Sequence, residues 1–172
     1  MADIIARDLG PGDVDDLHAI ASHWSVVRQL GGWPWPAYRD FTASRSTPYA
    51  GRGFVWGLEQ GGRIIGTMAV TRGELGYMLH PDVWGQGIAT RFGRLAVDHA
   101  FATDDLPRID AAAWADNAAS AHVLHKLGFV HWQTRFEHAK ARGYPAQTHH
   151  LRLTRRTYDR LRMSLNWRNS TA

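Results

Sequence analysis

Two glycines one residue apart, Gly85 and Gly87, sit in the stretch HPDVWGQGIATRF, between an alternating apolar run and a run with helical spacing. A helix N-terminus offers unpaired N–H groups and partial positive charge, which suits an anion. Glycine lets the main chain approach that anion with no Cβ in the way, and Thr90 adds a hydroxyl one turn in. Phosphate is the natural guest. The nucleoside triphosphate loop needs G-x-x-x-x-G-K-[ST], and no lysine lies here. The dinucleotide fingerprint needs a third glycine where this chain has Thr90; Asp110 lies at about the right distance, but the preceding strand closes a meander. On the two glycines alone, a strand-to-helix turn with no ligand fits equally well. Ten histidines raise the question of a metal. There is no H-E-x-x-H, His122 and His125 stand three apart on one helix, and His149 and His150 are neighbours in a strand and point to opposite faces. No metal site is expected.

The elements that must position these residues follow from period and punctuation. DIIARDL reads as a first strand, and Asp13 is placed to cap a helix through VDDLHAIASHW. Glycines and prolines then break LGGWPWPAY, and a second helix is predicted from about Pro36 to Ala50. Phe54, Trp56 and Leu58 alternate, Gly61-Gly62 turns, and Ile64 to Val70 returns: a hairpin. GELGYMLHP is the next strand, with Leu75, Tyr77 and Leu79 on one face and Gly76, Met78 and His80 on the other. Ile88, Phe92, Leu95, Ala96 and His99 keep helical spacing. PRIDAAAWA is a strand, and Asn117 opens a short helix that Gly128 closes. The strands FVHWQTRFEHAK and QTHHLRLT follow, then a helix over 155–163. This order predicts one α+β domain over residues 1–165 with a βαβ-like crossover at 74–114, and a frayed tail at 166–172.

Composition sets outer limits. With 172 residues, 44% hydrophobic and 21% charged, the chain is sized and mixed for a single soluble core. No apolar run reaches eighteen residues and the start lacks a signal-peptide pattern, so a cytoplasmic protein with no membrane partner is expected. Cysteine is absent, which excludes disulfides and thiolate chemistry. The net charge of +4 comes almost wholly from arginine, the lysines being Lys126 and Lys140. The dense run RLTRRTYDRLR reads as a solvated helix face, and nucleic acid is not an expected partner.

The segment ELGYMLHPDVWGQGIATRF, followed some thirty residues on by NAASAHVLHKLGF, resembles the GNAT superfamily of acyl-CoA-dependent N-acetyltransferases, and within it the RimJ/RimL-type branch. The family's turn is Arg or Gln, two residues, Gly, one residue, Gly or Ala; here Trp84 departs from the usual residue and Gly85, Gln86, Gly87, Ile88 and Ala89 follow. WPWPAYRDF also resembles the branch's loop between its first two helices. The resemblance implies a mixed, mostly antiparallel sheet of six or seven strands, splayed to admit acetyl-CoA, with helices on both faces. It further implies that the main chain of Met78, Leu79 and His80 pairs with the pantetheine arm. Gln86 to Thr90 would offer N–H groups to the pyrophosphate, Asn117 and Ser120 would face the pantetheine and thioester, and Lys126 would meet the ribose phosphate. A plain N-cap, worth about 1 kcal/mol, also accounts for Asn117.

The implied reaction is attack of an amine on the thioester. It needs the amine deprotonated, a donor for the oxyanion, and relief of charge on the departing sulfur. Many members carry an acidic tyrosine five residues before the phenylalanine of GF, where this chain has Leu124. Ser120 matches the branch's N-x-x-S and is the expected donor to the sulfur; a hydroxyl bonded back to its own helix is the plain alternative. Glu137, near the branch's carboxylate, and Glu74, opening the strand before the glycine turn, are the candidate bases, with His138 as a third. Trp33, Trp35, Tyr38 and Phe41 fit either a core corner or an acceptor wall, and the first three are taken as acceptor contacts because loops set specificity. The acceptor is a primary amine on a protein N-terminus or a small molecule. A monomer or homodimer fits, and a non-catalytic acyl-CoA-binding module is the alternative reading.

Overall fold

The computed structural model describes residues 3–164 and Trp167. The hairpin around Gly61-Gly62 forms as its alternation requires: strand β2 (Gly53–Gln60) pairs antiparallel with β3 (Arg63–Thr71), and both turn glycines take positive φ, +61° and +81°. Strand β1 (Ile4–Asp8) adds to β2 on one side, and β4 (Glu74–Leu79) adds to β3 on the other. Beyond β4 lie β5 (Arg108–Trp114), β7 (Tyr144–Thr154) and the edge strand β6 (Val130–Ala139). The sheet order is β1-β2-β3-β4-β5-β7-β6, and every neighbouring pair is antiparallel except β4 with β5. The architecture is α+β, as the element order predicts.

Helix α4 (Ile88–Thr103) makes the crossover from β4 to β5. It buries Ile88, Phe92, Ala96 and Ala100 against one sheet face, with Leu58, Met68, Leu75, Leu79, Ile109 and Ala111. Helix α5 (Ala118–Lys126) lies on the same side through Leu124. The opposite face is covered by α1 (Val14–Ala21), α2 (Trp24–Val27) and α3 (Arg39–Arg45), where Leu17, Ile20 and Val26 pack with Ile64 and Met78. Helix α6 (Arg155–Arg162) exposes most of its arginines and buries Tyr158.

Three local readings change. The second predicted helix is shorter, Arg39–Arg45; its N-cap Tyr38 is extended, and Ser46 leaves helical dihedrals to donate its hydroxyl to Gly10 O. The first predicted helix, read through Trp24, ends at Ala21, and a separate short helix, α2, starts at Trp24 ahead of the Gly/Pro-broken stretch. Asp13 does not cap α1 with its side chain: its carboxylate accepts from Gly10 N–H and pairs with Arg7. Most of the 166–172 tail lies outside the described residues. Trp167 is described and is 5% exposed, with its indole N–H donating to Asp98 and Arg94 over its ring.

Candidate active site

Strands β4 and β5 are paired at two positions only, Glu74 with Asp110 and Leu75 with Ala111. Beyond Leu75 they diverge while β4 stays paired with β3 as far as Leu79. His80 N–H donates to Ile65 O at 2.8 Å. Alternation then turns the main-chain groups of Met78 toward β3 and those of Tyr77 and Leu79 toward the opening. A parallel pair that separates at its carboxyl ends leaves a crevice, the usual place for a ligand in sheets of this type.

Two helix N-termini stand at that crevice. Gly87 is the N-cap of α4 with φ +77°, and Gly85 has φ +74°. A Cβ at either would meet nothing within 4 Å, so their requirement is the left-handed backbone rather than room inside the protein. No side chain caps α4, and its first N–H groups, at Ile88, Ala89 and Thr90, lack intrahelical acceptors. Trp84, the departure from the family turn, donates its indole N–H to Leu79 O at 2.9 Å and so fixes the bend leaving β4. The Gln86 amide donates to Asp82 O. The second N-terminus belongs to α5, where Asn117 Oδ1 accepts from Ser120 N–H at 3.1 Å. Lys126 sits exposed at the far end of that helix.

Ser120 Oγ lies 2.8 Å from the hydroxyl of Tyr77, half-buried on β4. Burial pushes the Tyr77 phenol up from its ordinary value, against a smaller opposing effect of the Ser120 hydrogen bond. Leu124, where other members carry tyrosine, is 1% exposed in the core. Sequence reasoning placed Tyr77 on the correct strand face but not in the site; its one signal was sharing that face with Leu75 and Leu79.

The carboxylates gather on the other sheet face, near the root of the crevice. The Glu74 carboxylate has no hydrogen bond or ion pair among the described residues. The surrounding walls withhold solvent from its carboxylate although its outer side is exposed; this raises its pKa. His150 opposes that shift, while Glu137 and Asp110 reinforce it. Glu137 Oε1 stands 3.2 Å from His150 Nε2, an ion pair when the imidazole is protonated, without the angle of a hydrogen bond. Burial would raise the Asp110 carboxyl, but hydrogen bonds from Arg152 and Arg108 outweigh it and hold it low. His138 pairs with Pro145, one step out of phase with Glu137, and so faces the opposite side from the two glutamates. His149 and His150 separate in the same way: His149 accepts or donates to Thr134, His150 meets Glu137.

The aromatic segment divides. Trp33 is half-buried beside the α1 core and packs edge-on against Phe41; Trp35 leans on Trp24, and Tyr38 on Phe41, with both Trp35 and Tyr38 exposed. Arg142, from the β6–β7 turn, ties this region to the crevice. Its side chain is 5% exposed and donates to Arg28 O, to Gln29 Oε1 and to both oxygens of Asp116. Asp116 directly precedes the Asn117 cap. No sequence signal marks this clasp. Among the described residues no group of three or more His, Asp or Glu could hold a metal ion, and no helix is long and apolar enough to cross a membrane.

Comparison with known proteins gives the family in which this crevice stands. Residues 3–130 match the family described as Acetyltransferase (GNAT) domain, and the chain belongs to that family. An uncharacterized N-acetyltransferase, YoaA, of Bacillus subtilis is 31% identical over 139 residues, covering 73% of this chain and 78% of the relative. A crystal structure of a probable acetyltransferase superposes with TM-score 0.77 at 22% identity, over 89% of this chain and 93% of the other. The spermidine N-acetyltransferase from Vibrio cholerae, solved with CoA and spermine, superposes with TM-score 0.75 at 16% identity, over 90% and 97%.

Proposed function

We propose that this chain moves an acetyl group from acetyl-CoA to a primary amine of a protein N-terminus or small molecule, as a RimJ/RimL-like member of its family. The observation that carries the reading is the divergence of β4 from β5 after two paired positions, with the N-termini of α4 and α5 at its open end. Gln86 to Thr90 offer main-chain N–H groups to the pyrophosphate, and Lys126 meets the ribose phosphate. The pantetheine runs along Met78 to His80, where alternation turns the main-chain groups of Tyr77 and Leu79 toward the opening, Leu79 O already accepting from Trp84, and on past Asn117. Ser120 donates a hydrogen bond to the departing sulfur.

The amine arrives from the α1–α3 face, between Trp33, Trp35 and Tyr38 and the β6–β7 turn. Glu74 takes its proton as nitrogen attacks the thioester carbon and the carbon–sulfur bond breaks. Glu137 is the second carboxylate, held back by His150. An α-amine titrates near 8 and is on the order of one-tenth neutral at pH 7, so a modest base suffices; a lysine, near 10.4, asks far more of it. Holding the two reactants in register supplies several kcal/mol in its own right. The solved CoA and spermine complex of a protein with this fold is compatible with an amine acceptor.

The test is thermal unfolding with acetyl-CoA, coenzyme A, ATP and NAD at equal concentration. A ligand at a hundred times its Kd adds about 2.7 kcal/mol, which raises Tm by roughly 5 to 10 °C for a chain of this length. A rise with the two coenzyme A species alone supports the reading and opens a screen of amines for thiol release. No rise with any of the four would sink it.

A further inference from the structure

We infer that Tyr77 is a positioning residue for acetyl transfer: its phenol donates to Ser120 Oγ and thereby turns the hydrogen of Ser120 toward the departing sulfur. The inference rests on the role given to Ser120 above.

The geometry narrows the hydroxyl's options. In a helix a serine hydroxyl ordinarily bonds a carbonyl one turn back. Ser120 instead has its Oγ 2.8 Å from the Tyr77 hydroxyl, across from α5 to β4. Its N–H is held by Asn117 Oδ1, which pins the first turn and with it the Cα of Ser120. The tyrosine is placed as firmly, on the strand that borders the crevice between Leu75 and Leu79 of the core.

The direction of the bond follows from chemistry. Either oxygen can donate, but a phenol is the better donor and an aliphatic hydroxyl the better acceptor. Burial keeps the phenol protonated, so Tyr77 retains the hydrogen it donates. With its own oxygen accepting, Ser120 has one hydrogen left, and the crevice is where charge develops on sulfur. The phenol that α5 lacks at Leu124 is thus supplied to the same helix from the neighbouring strand. Tyr77 gives up no proton in the cycle; no bond to it is made or broken.

The experiment uses the full chain, with thiol release from acetyl-CoA followed for three acceptors: an alanyl-terminated peptide, a lysine-containing N-acetylated peptide and spermidine. Tyr77→Phe, Ser120→Ala and the double variant are compared with the wild type, and Ser120→Thr, which keeps a hydroxyl, is the conservative control. Tyr77→Phe is expected to lower kcat about 3- to 10-fold, the worth of one hydrogen bond, with KM for acetyl-CoA and the CoA-induced rise in Tm unchanged. The double variant is expected to be no slower than Ser120→Ala, because Tyr77 acts only through that oxygen. Ser120→Thr is expected to keep its sensitivity to Tyr77→Phe. Wild-type kcat in Tyr77→Phe, or losses that multiply in the double variant, would overturn the inference while leaving the Ser120 role intact. Full activity in Ser120→Ala, or no turnover with any of the three amines, would remove the reading beneath it as well.

Discussion

Glu74 and Glu137 look alike in the sequence, and their surroundings separate them. Glu137 has an imidazole 3.2 Å away, while Glu74 has no ion partner among the described residues and is pushed up by withheld solvent despite its exposed outer side. A carboxyl raised in the folded state accepts a proton more readily, which suits a base working near neutrality. Its effect on stability has a definite sign. The protonated form is the one the fold favours, so that contribution is present at low pH and is lost as pH rises through the raised value. At pH 7 to 8 the ionised group is a burden. Glu74→Gln is therefore expected to raise Tm slightly at that pH while lowering kcat about 100-fold or more. The wild-type rate should climb with pH through a value above that of an ordinary glutamate, and Glu137→Gln should keep that limb but move it to lower pH, because the Glu137 charge helps to raise Glu74. Rate–pH profiles and melting curves of the two variants check this; an unimpaired Glu74→Gln would assign the base elsewhere. The charges facing Glu74 are those of His150, Glu137 and Asp110, the last engaged by Arg152 and Arg108.

At the scale of elements, the turn from β4 into α4 was the most legible part of the chain, and for a physical reason. Positive φ at Gly85 and Gly87 is a local demand that the sequence has to meet locally, with glycine. Strand alternation in β2 to β4 and the helical spacing of α4 are local in the same sense, and the structure follows them. The Tyr77–Ser120 bond joins residues 43 apart and Arg142 reaches back 114 residues to Arg28, pairings that no period announces. The α2–α3 region was misread because Trp, Pro and Gly there serve packing and entry geometry rather than helix propensity. Gly87→Ala tests the turn. No atom lies within 4 Å of the added Cβ, so the cost is backbone strain of about 1–2 kcal/mol. That lowers Tm by roughly 2 to 8 °C. Because the same methyl would stand beside the unpaired N–H groups of α4, the CoA-dependent rise in Tm should shrink as well. A variant that melts lower but keeps the full rise would mean that the anion lies away from Gly87.

The whole molecule presents two chemically different sides of one sheet. The α4–α5 side offers N–H groups and hydroxyls, suited to phosphate and sulfur; the α1–α3 side offers carboxylates and aromatic rings, suited to an amine. They meet where β4 parts from β5, so the halves must be held in register there. Arg142 is built to do so: one guanidinium, nearly buried, joins the end of α2, the β6–β7 turn and the residue before the α5 cap, and lies over Trp114. Its hydrogen bonds hold the Asp116 carboxyl below the ordinary range, so their stabilisation is present above that range and fades as pH falls through the lowered value. Removing one partner of a fully buried pair costs about 3–5 kcal/mol. Here Asp116 is partly exposed and keeps Arg28, so Arg142→Ala should cost nearer about 2 kcal/mol. The functional loss should be the larger one, because misregister of about 1 Å between reactants can cost on the order of 100-fold in rate. The expected pattern is a raised KM for the amine, a lowered kcat and an unchanged affinity for coenzyme A. Arg142→Lys should recover stability more than rate, since an ammonium cannot reproduce the forked contact with Asp116. Steady-state kinetics beside CoA-dependent melting separates these effects, and a loss of CoA affinity equal to the loss in rate would show the clasp to be a brace for the cofactor side alone.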